Sequence, residues 1–160
     1  MQVLVMYFSH TENTRQLAEE VANGVRQVNG VTCLLKNAEE VTQKDFLESD
    51  GIIAGSPVYF GTMAAELKSV FDKYVALRPQ MGDKVGAAFA TSGDASGGKE
   101  TTMLSILQAM LIYGMIVVGD PLDATGHYGT SCVGAPDKTT ARHAAQLGQR
   151  VAELVQRLAV

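Results

Sequence analysis

The chain has 160 residues, 46% of them hydrophobic, which fits one domain over residues 1–160 with a continuous core. A formal net charge of -4 leaves no broad basic surface, so neither nucleic acid nor an anionic membrane is a predicted partner. No apolar run approaches the roughly 20 residues of a membrane-spanning helix, and the amino terminus lacks the basic region of a signal peptide. These features predict a cytoplasmic protein without a membrane span.

Short β-rich runs alternate with longer helical stretches, a pattern typical of a parallel sheet covered by helices on both faces. The first run, residues 3–8, is continuously apolar and predicts a strand buried on both sides. The following helix, residues 13–28, carries Leu17, Val21 and Val25 on one inward stripe. Further strands are predicted at residues 31–35, 51–55, 85–90 and 115–118, and further helices within 36–50 and at 63–75, 99–113 and 138–158.

The long connection at residues 119–136 is the one irregular stretch of the chain. In compact domains such connections are usually functional or disordered. The sequence shows no linker or internal repeat, so the doubly wound sheet is expected to account for the whole chain.

The loop after the first predicted strand favours phosphate binding. It reads Ser9-His10-Thr11-Glu12-Asn13-Thr14 and opens directly into a helix. In an open α/β sheet ligands bind outside the carboxyl ends of the strands, and a helix start offers free N–H groups and a partial positive charge. Hydroxyl and amide side chains around such a start form a cradle for phosphate. An equally good interpretation of this loop alone is that Thr11 or Asn13 only caps the helix.

The loop after the third predicted strand places two adjacent aromatic residues between a proline and a glycine. It reads Ser56-Pro57-Val58-Tyr59-Phe60-Gly61-Thr62. Aromatic rings at a surface loop suit a flat aromatic ligand, which stacks on them and bonds to backbone exposed beside glycine. The alternative is that Tyr59 or Phe60 folds inward and fills the core.

The loop after the fourth predicted strand is rich in glycine. It reads Thr91-Ser92-Gly93-Asp94-Ala95-Ser96-Gly97-Gly98. Glycine lets the backbone approach a ligand closely, although a merely flexible connector is the alternative. All three loops follow strands of one predicted sheet, and this coincidence favours a shared ligand site.

The cysteines, histidines and methionines of the chain predict no further functional site. The two cysteines have neither a metal-ligand nor a redox spacing, and the three histidines are scattered, so no metal is predicted. Met103, Met110 and Met115 are expected to fill the core, because methionine adapts to irregular gaps.

Several segments of the chain match known patterns. They are Ser9-x-Thr11-x-Asn13-Thr14, Pro57-Val58-Tyr59-Phe60-Gly61-Thr62-Met63, Gly97-Gly98-Lys99-Glu100-Thr101-Thr102, Tyr113-Gly114-Met115-Ile116-Val117-Val118 and His127-Tyr128-Gly129-Thr130. The first resembles the FMN phosphate loop of the flavodoxin-like superfamily. The others resemble segments of its WrbA-like NAD(P)H:quinone oxidoreductase branch, and together they cover nearly the whole chain.

The resemblance implies a flavodoxin-like α/β fold, with a doubly wound, five-stranded parallel sheet in the order 2-1-3-4-5. It implies FMN as the cofactor and NAD(P)H as the electron donor. The implied FMN-binding residues are Ser9, His10, Thr11, Glu12, Asn13, Thr14, Pro57, Val58, Tyr59, Phe60, Gly61, Thr91, Ser92, Gly93, Gly97 and Gly98. The implied substrate face comprises Tyr59, Phe60, His127 and Tyr128, and no catalytic acid or base is assigned.

The chain departs from the family pattern at two positions. Glu12 stands where glycine is usual, which places a carboxylate near the expected phosphate unless it points outward. Tyr113 replaces a histidine that the family places near the flavin, so no histidine-dependent step is carried over.

Three functions follow as hypotheses. The first is two-electron reduction of quinones, or another small acceptor, by NAD(P)H through FMN, in a homo-oligomer (dimer or tetramer) of the kind that the resemblance implies. The second is a flavodoxin that carries single electrons between proteins, which the modest net charge favours less. The third is a binding module without flavin, for which Glu12 is the motive.

Overall fold

The apolar run at the amino terminus forms an interior strand of the sheet, β1 (Gln2–Tyr7), as predicted. The structure, a computed structural model, describes residues 1–159. Val3 and Val5 face one side of the sheet and Leu4 and Met6 the other, and all four side chains are fully buried. A strand enclosed on both faces needs no polar positions, which explains the unbroken apolar sequence.

The sheet has the strand order β2-β1-β3-β4-β5, and every pairing in it is parallel. In addition to β1, the sheet contains β2 (Thr32–Asn37), β3 (Gly51–Pro57), β4 (Val85–Ser92) and the short β5 (Ile116–Val117). The predicted flavodoxin-like α/β architecture is therefore confirmed.

Helices cover both faces of the sheet. They are α1 (Asn13–Arg26), α2 (Gln43–Glu48), α3 (Ala65–Lys73), α4 (Lys99–Ile112) and α5 (Lys138–Leu158), with 3-10 helices at Ala38–Glu40 and Val75–Gln80. The apolar stripe of α1 packs with α5 on one face, and α2, α3 and α4 pack on the other. Met103, Met110 and Met115 lie in this second core as expected.

A sixth strand, β6 (Gly129–Val133), lies inside the stretch predicted to be irregular. Val117 of β5 pairs with Gly86 of β4, and Gly129 of β6 pairs with Ala88 of β4. The fifth position of the sheet is thus filled by two pieces of strand, and residues 119–128, which we call the insertion loop, interrupt it. The five-strand prediction missed β6 because its sequence is small and polar.

Two strands extend further than predicted. β3 ends at Pro57 and β4 at Ser92, so Pro57, Thr91 and Ser92 belong to strands rather than to loops. The predicted second long helix is shorter: α3 ends at Lys73, and a 3-10 helix that contains Pro79 follows. Within residues 1–159 no helix combines the length and the apolarity needed to span a bilayer.

Candidate functional site

Three loops meet at the carboxyl edge of the sheet, because β1, β3 and β4 are adjacent and parallel. Tyr7 at the end of β1 pairs with Gly55, and Pro57 at the end of β3 pairs with Thr91. The residues that follow these strands are therefore neighbours in space. We call them the β1 loop (residues 8–12), the β3 turn (residues 59–62) and the β4 loop (residues 93–98).

The β1 loop leads into a helix start without a side-chain cap. Glu12 precedes α1, and its side chain accepts no capping hydrogen bond from the backbone of the first turn. Gln16 donates to the Glu12 carbonyl at 2.9 Å, so the N–H groups before Gln16 are those that helix geometry leaves without a partner inside the helix. The alternative in which Thr11 or Asn13 only caps α1 gains no support from this arrangement. The helix start can instead donate to an anion.

The Ser9 hydroxyl is the strongest sign of a ligand in the β1 loop. Its oxygen is buried and has no hydrogen-bond partner within residues 1–159. Buried polar atoms in native proteins are almost always paired, so an unpaired one requires an explanation such as a missing ligand. A phosphate oxygen placed at the start of α1 would supply that partner. His10 and Thr11 lie beside it with exposed side chains.

Glu12 adopts a left-handed backbone conformation with φ at 67°. Its carboxylate points to Arg15, with Oε2 at 3.1 Å from Nη1, and both side chains are largely exposed. The sequence left open whether this carboxylate faces inward, and the structure places it in an ion pair at the surface. The spacing of three residues between opposite charges at a helix start was the signal that could have predicted the pair.

Thr91 joins the three loops. Its hydroxyl and that of Thr14 share a hydrogen bond of 2.8 Å in a buried position. Its carbonyl accepts from the Val58 N–H at 2.8 Å. Thr91 therefore fixes the first turn of α1 relative to the end of β3. Because its hydroxyl is buried and bonded to Thr14, its role is to position these elements rather than to offer an exposed group to a ligand.

The β3 turn holds an aromatic side chain outward in a strained conformation. Tyr59 and Thr62 exchange two backbone hydrogen bonds of 3.1 Å, which closes a tight turn. Phe60 and Gly61 between them have φ of 51° and 78°, and the Phe60 side chain is fully exposed. Positive φ is unfavourable for a phenylalanine, and such strain persists mainly at functional sites. The alternative in which Phe60 fills the core is thereby wrong.

Tyr59 is partly exposed, and its ring meets the edge of Phe8 with 6.4 Å between centroids. Phe8 follows β1, so this contact fastens the β3 turn to the β1 loop. Tyr59 thus combines a packed side with an accessible one.

Glycine is required at position 98 of the β4 loop, because the backbone of the β3 turn lies close to it. It has φ of 99°, and a Cβ atom there would lie 3.1 Å from the Gly61 Cα atom. Gly97 is also crowded, because its Cβ would lie 3.0 Å from the Asp94 carbonyl oxygen, whereas Gly93 faces open space. Gly98 precedes α4 and offers no side-chain cap, so a second open helix start lies at this edge.

The Asp94 carboxylate shapes the β4 loop from within. It accepts hydrogen bonds from the backbone N–H of Ser96 at 2.9 Å and from its hydroxyl at 2.8 Å. These bonds lower the pKa of Asp94 below its ordinary value. The loop is therefore folded on itself rather than merely flexible.

His127 and Tyr128 lie apart from the other predicted site residues. They precede β6, whose first residue Gly129 pairs with Ala88, four positions before Ser92 in β4. Both side chains are exposed, and they line a cavity of about 190 Å³ together with Glu100 and His143. Since Glu100 is in the first turn of α4, this cavity adjoins the β4 loop.

The insertion loop is organised by Asp120, a residue that the sequence interpretation missed. The buried carboxylate accepts from the backbone N–H groups of Thr125 at 2.9 Å, Gly126 at 3.2 Å and His127 at 2.8 Å. Burial raises the pKa of Asp120, but the hydrogen bonds from Thr125 and His127 outweigh it and lower the pKa below its usual value. Arg150 of α5 donates to the Asp120 carbonyl at 2.9 Å and anchors the loop from outside.

Tyr113 lies at the far end of α4 from the β4 loop. It is buried against Phe46 and Phe71, and its hydroxyl donates to the Phe71 carbonyl. Burial raises the pKa of Tyr113 to about 12. The residue that replaces the expected histidine is therefore part of the core of its own chain.

The residues at the carboxyl edge fit FMN. An unpaired buried hydroxyl and an uncapped helix start suit its phosphate, and an outward aromatic ring beside closely packed glycines suits its flat ring system. Within residues 1–159 no group of three or more His, Cys, Asp or Glu side chains is arranged to hold a metal.

Comparison with known proteins points in the same direction. A sequence model of the family described as NADPH-dependent FMN reductase matches residues 1–129. A protein from Aquifex aeolicus named flavodoxin is 36% identical over an alignment of 161 residues, which covers 96% of this chain and 86% of that protein. A protein from Archaeoglobus fulgidus named NAD(P)H dehydrogenase (quinone) is 32% identical over 189 aligned residues, covering 98% of each.

A solved structure of a WrbA-like flavodoxin from Agrobacterium tumefaciens shares the fold, with a TM-score of 0.82, 23% identity and coverage of 98% of both chains. FMN and NAD(P)H, the cofactor and donor predicted from the sequence, are those that the matched family's description and the relatives' names support. The predicted resemblance to flavodoxin-like proteins of the WrbA type is confirmed, and the chain belongs to the NADPH-dependent FMN reductase family.

Proposed function

We propose that this protein is an FMN-dependent enzyme that reduces quinones by two electrons with NAD(P)H. The observation that carries the proposal is the carboxyl edge of the sheet, where an unpaired buried hydroxyl at Ser9 and an outward Phe60 lie on loops fastened together through Thr91. The relative from Archaeoglobus fulgidus, which covers nearly the whole chain, has a name that supports the quinone as acceptor.

In the proposed site the chain binds and orients the cofactor. Ser9, Thr11, Asn13 and the start of α1 hold the phosphate, with Thr14 positioned through Thr91. The other predicted FMN contacts, in the β3 turn and the β4 loop, hold the ring system. When bound, FMN supplies hydride acceptance and two-electron donation.

The exposed rings of Phe60 and Tyr59 provide the face on which nicotinamide and quinone bind in turn. His127 and Tyr128, the other residues of the predicted substrate face, line a separate cavity with Glu100 of α4, next to the β4 loop. We assign no side chain as an essential acid or base. Because Phe60 provides a binding surface and no proton transfer, replacing it with alanine should raise KM for the quinone more than it lowers kcat.

Anaerobic stopped-flow mixing tests the proposal. The FMN-loaded protein should lose its visible flavin absorbance when mixed with NADPH or NADH, and recover it when a soluble benzoquinone is added. Steady-state oxidation of the nicotinamide should then depend on both substrates. If neither NADPH nor NADH reduces the bound flavin, the result would contradict the proposed enzymatic function.

A one-electron carrier is the second candidate, and the relative from Aquifex aeolicus named flavodoxin favours it. The same mixing experiment separates the two functions. A carrier would keep its flavin oxidised with NADPH alone and become reduced only when a reductase protein is added. Purified protein that is colourless and does not bind added FMN would instead support a flavin-free binding module.

We further propose that the chain forms a homo-oligomer, a dimer or tetramer, through the face of α3 and α4. A groove of about 500 Å³ lies between these helices, and Val75, Leu111 and Ile112 beside it are exposed. The groove begins at Thr62 of the β3 turn and carries Lys68 and Asp72, which form an ion pair with each other at 2.6 Å and leave no unpaired charge among the described residues that line it. Sedimentation velocity of the wild type and of Ile112→Glu tests it, because the substitution should yield monomers.

A further inference from the structure

We propose that the ion pair between Glu12 and Arg15 sets how tightly the β1 loop binds the phosphate of FMN. Glu12 neutralises the only arginine of the helix start, so the loop binds the phosphate through uncharged groups. This inference rests on the proposed function, since it takes the β1 loop as the phosphate site.

The pair is built by the first turn of α1. Arg15 Nη1 lies 3.1 Å from Glu12 Oε2, and the side chains of Arg15 and Glu12 are 53% and 59% exposed. Glu12 immediately precedes the N–H groups that the helix leaves free. A bound anion at those groups is therefore within short electrostatic range of both charges.

Tyr7 provides a second sign of where the pair lies. Burial raises the pKa of the Tyr7 phenol, the Arg15 guanidinium opposes that rise, and Glu12 is among the carboxylates that add to it. Tyr7 is the last residue of β1. Both charges of the pair thus act on the carboxyl edge of the sheet, where the β1 loop begins.

The charge balance of the segment follows from its sequence. Between residues 8 and 15 the acidic and basic side chains are His10, Glu12 and Arg15. With Glu12 and Arg15 paired, the fixed charge near the helix start is close to zero, and the partial positive charge of the helix remains. Removing either member leaves one full charge beside the phosphate. A free Arg15 would attract the phosphate, and a free Glu12 would repel it.

The size of the effect is limited by exposure. Charges at a solvated surface interact weakly and are screened by salt, so each substitution should change affinity by a factor of a few rather than by orders of magnitude. A flavin without phosphate should not respond at all. The pair therefore adjusts the preference for FMN over riboflavin by a small factor and leaves recognition of the ring unchanged.

The test is a set of flavin titrations of the full chain freed of cofactor, at low ionic strength and followed by flavin fluorescence. Glu12→Gln should lower the Kd for FMN about fivefold, and Arg15→Gln should raise it by about the same factor. The double variant should lie within about twofold of the wild type, because both charges are gone. The Kd for riboflavin should stay within about twofold throughout, and the FMN effects should shrink near 1 M salt.

Glutamine at position 12 keeps the side-chain length and removes only the charge, so this variant isolates the electrostatic effect. Glu48→Gln is the matched control, because Glu48 forms an exposed ion pair with Lys44 on α2, away from the loops. Thermal unfolding of each variant checks that the fold is retained.

Equal shifts for FMN and riboflavin would overturn the inference, since they would indicate a change of loop shape. So would an unchanged Kd for FMN in both single variants. A wild-type chain that binds neither flavin would overturn the proposed function as well, whereas unshifted variants of a chain that binds FMN tightly would overturn this inference alone.

Discussion

The β1 loop and the insertion loop are both polar, and they are built in opposite ways. In the β1 loop the Ser9 hydroxyl is buried and has no partner among residues 1–159, and the helix that follows starts without a side-chain cap. In the insertion loop the Asp120 carboxylate is surrounded by donors from the loop itself. A loop whose polar groups are satisfied internally holds a shape, whereas one with unsatisfied groups is completed by a ligand.

The largest effect is expected at the neck of the insertion loop. A Cβ atom at Gly119 would lie 1.8 Å from the His127 carbonyl oxygen, so Gly119→Ala forces the backbone apart. We expect the free energy of unfolding to fall by about 3 kcal/mol in urea titrations. Gly82→Ala is the control, since a Cβ there meets nothing within 4 Å. Equal stability of both variants would show that the loop is not closed in this way.

Asp120→Asn should reduce the free energy of unfolding by about 2 kcal/mol, because an amide cannot accept all the hydrogen bonds that a carboxylate accepts. The Kd for FMN should change less than about twofold, since the insertion loop is held independently of the β1 loop. A large loss of FMN affinity would break the comparison, because it would make the insertion loop part of the phosphate or ring site.

Acid should weaken the insertion loop selectively. The pKa of Asp120 is lower in the folded chain than the usual value of about 3.9 expected in the unfolded chain. The ionised Asp120 carboxylate therefore contributes fully to the free energy of unfolding above about pH 4. This contribution is lost as the pH falls through the lower pKa of Asp120 in the folded chain. Urea titrations between pH 6 and 3 should show stability falling more steeply in the wild type than in Asp120→Asn. Parallel curves would contradict this assignment.

Ser9→Ala should act on binding rather than on folding. Removing an unpaired buried hydroxyl costs the free protein nothing, so the unfolding midpoint should stay constant or rise slightly. The Kd for FMN should rise about tenfold, because a hydrogen bond to a charged phosphate is lost. Isothermal titration with FMN measures this, and Ser69→Ala on α3 is a suitable control. A destabilised Ser9→Ala variant with unchanged affinity would reverse the roles of the two loops.

The smallest expected effect is a change in Tm when the residue that precedes α1 or α5 is replaced. Asp137 caps α5 by accepting from the Thr140 N–H at 2.7 Å, whereas Glu12 makes no such bond at α1. Asp137→Ala should lower Tm by about 3 °C, and Glu12→Ala should change it by less than about 1 °C. Circular dichroism of the flavin-free proteins checks both. A comparable loss at Glu12 would mean that its carboxylate supports the helix after all.

The sequence predicted the sheet and the three loops well, because these follow from local patterns. The apolar run of β1 and the polar segment after it report directly on burial and on a strand end. Strand β6 was missed, since Gly129–Val133 has little strand propensity and owes its conformation to pairing with β4.

Residues whose roles depend on distant partners could not be read from local patterns. Asp120 looks like an ordinary acidic residue of an irregular stretch, and only the folded loop brings its donors around it. Thr91 contacts Thr14 and Val58, which lie far from it in the chain. The residues next to Thr91 in the sequence therefore do not reveal these contacts. The orientation of Glu12 is different, because Arg15 lies only three residues away and the spacing of these opposite charges is visible in the sequence.

The split fifth strand has a consequence for how this protein can be altered. Strands β5 and β6 pair with Gly86 and Ala88 of β4, so the two ends of the insertion loop are attached only two positions apart on the same neighbouring strand. A segment with both ends anchored so closely can be exchanged for a shorter or longer one without moving the register of the sheet. The insertion loop can thus be exchanged as a cassette while the three loops at the carboxyl edge keep their positions.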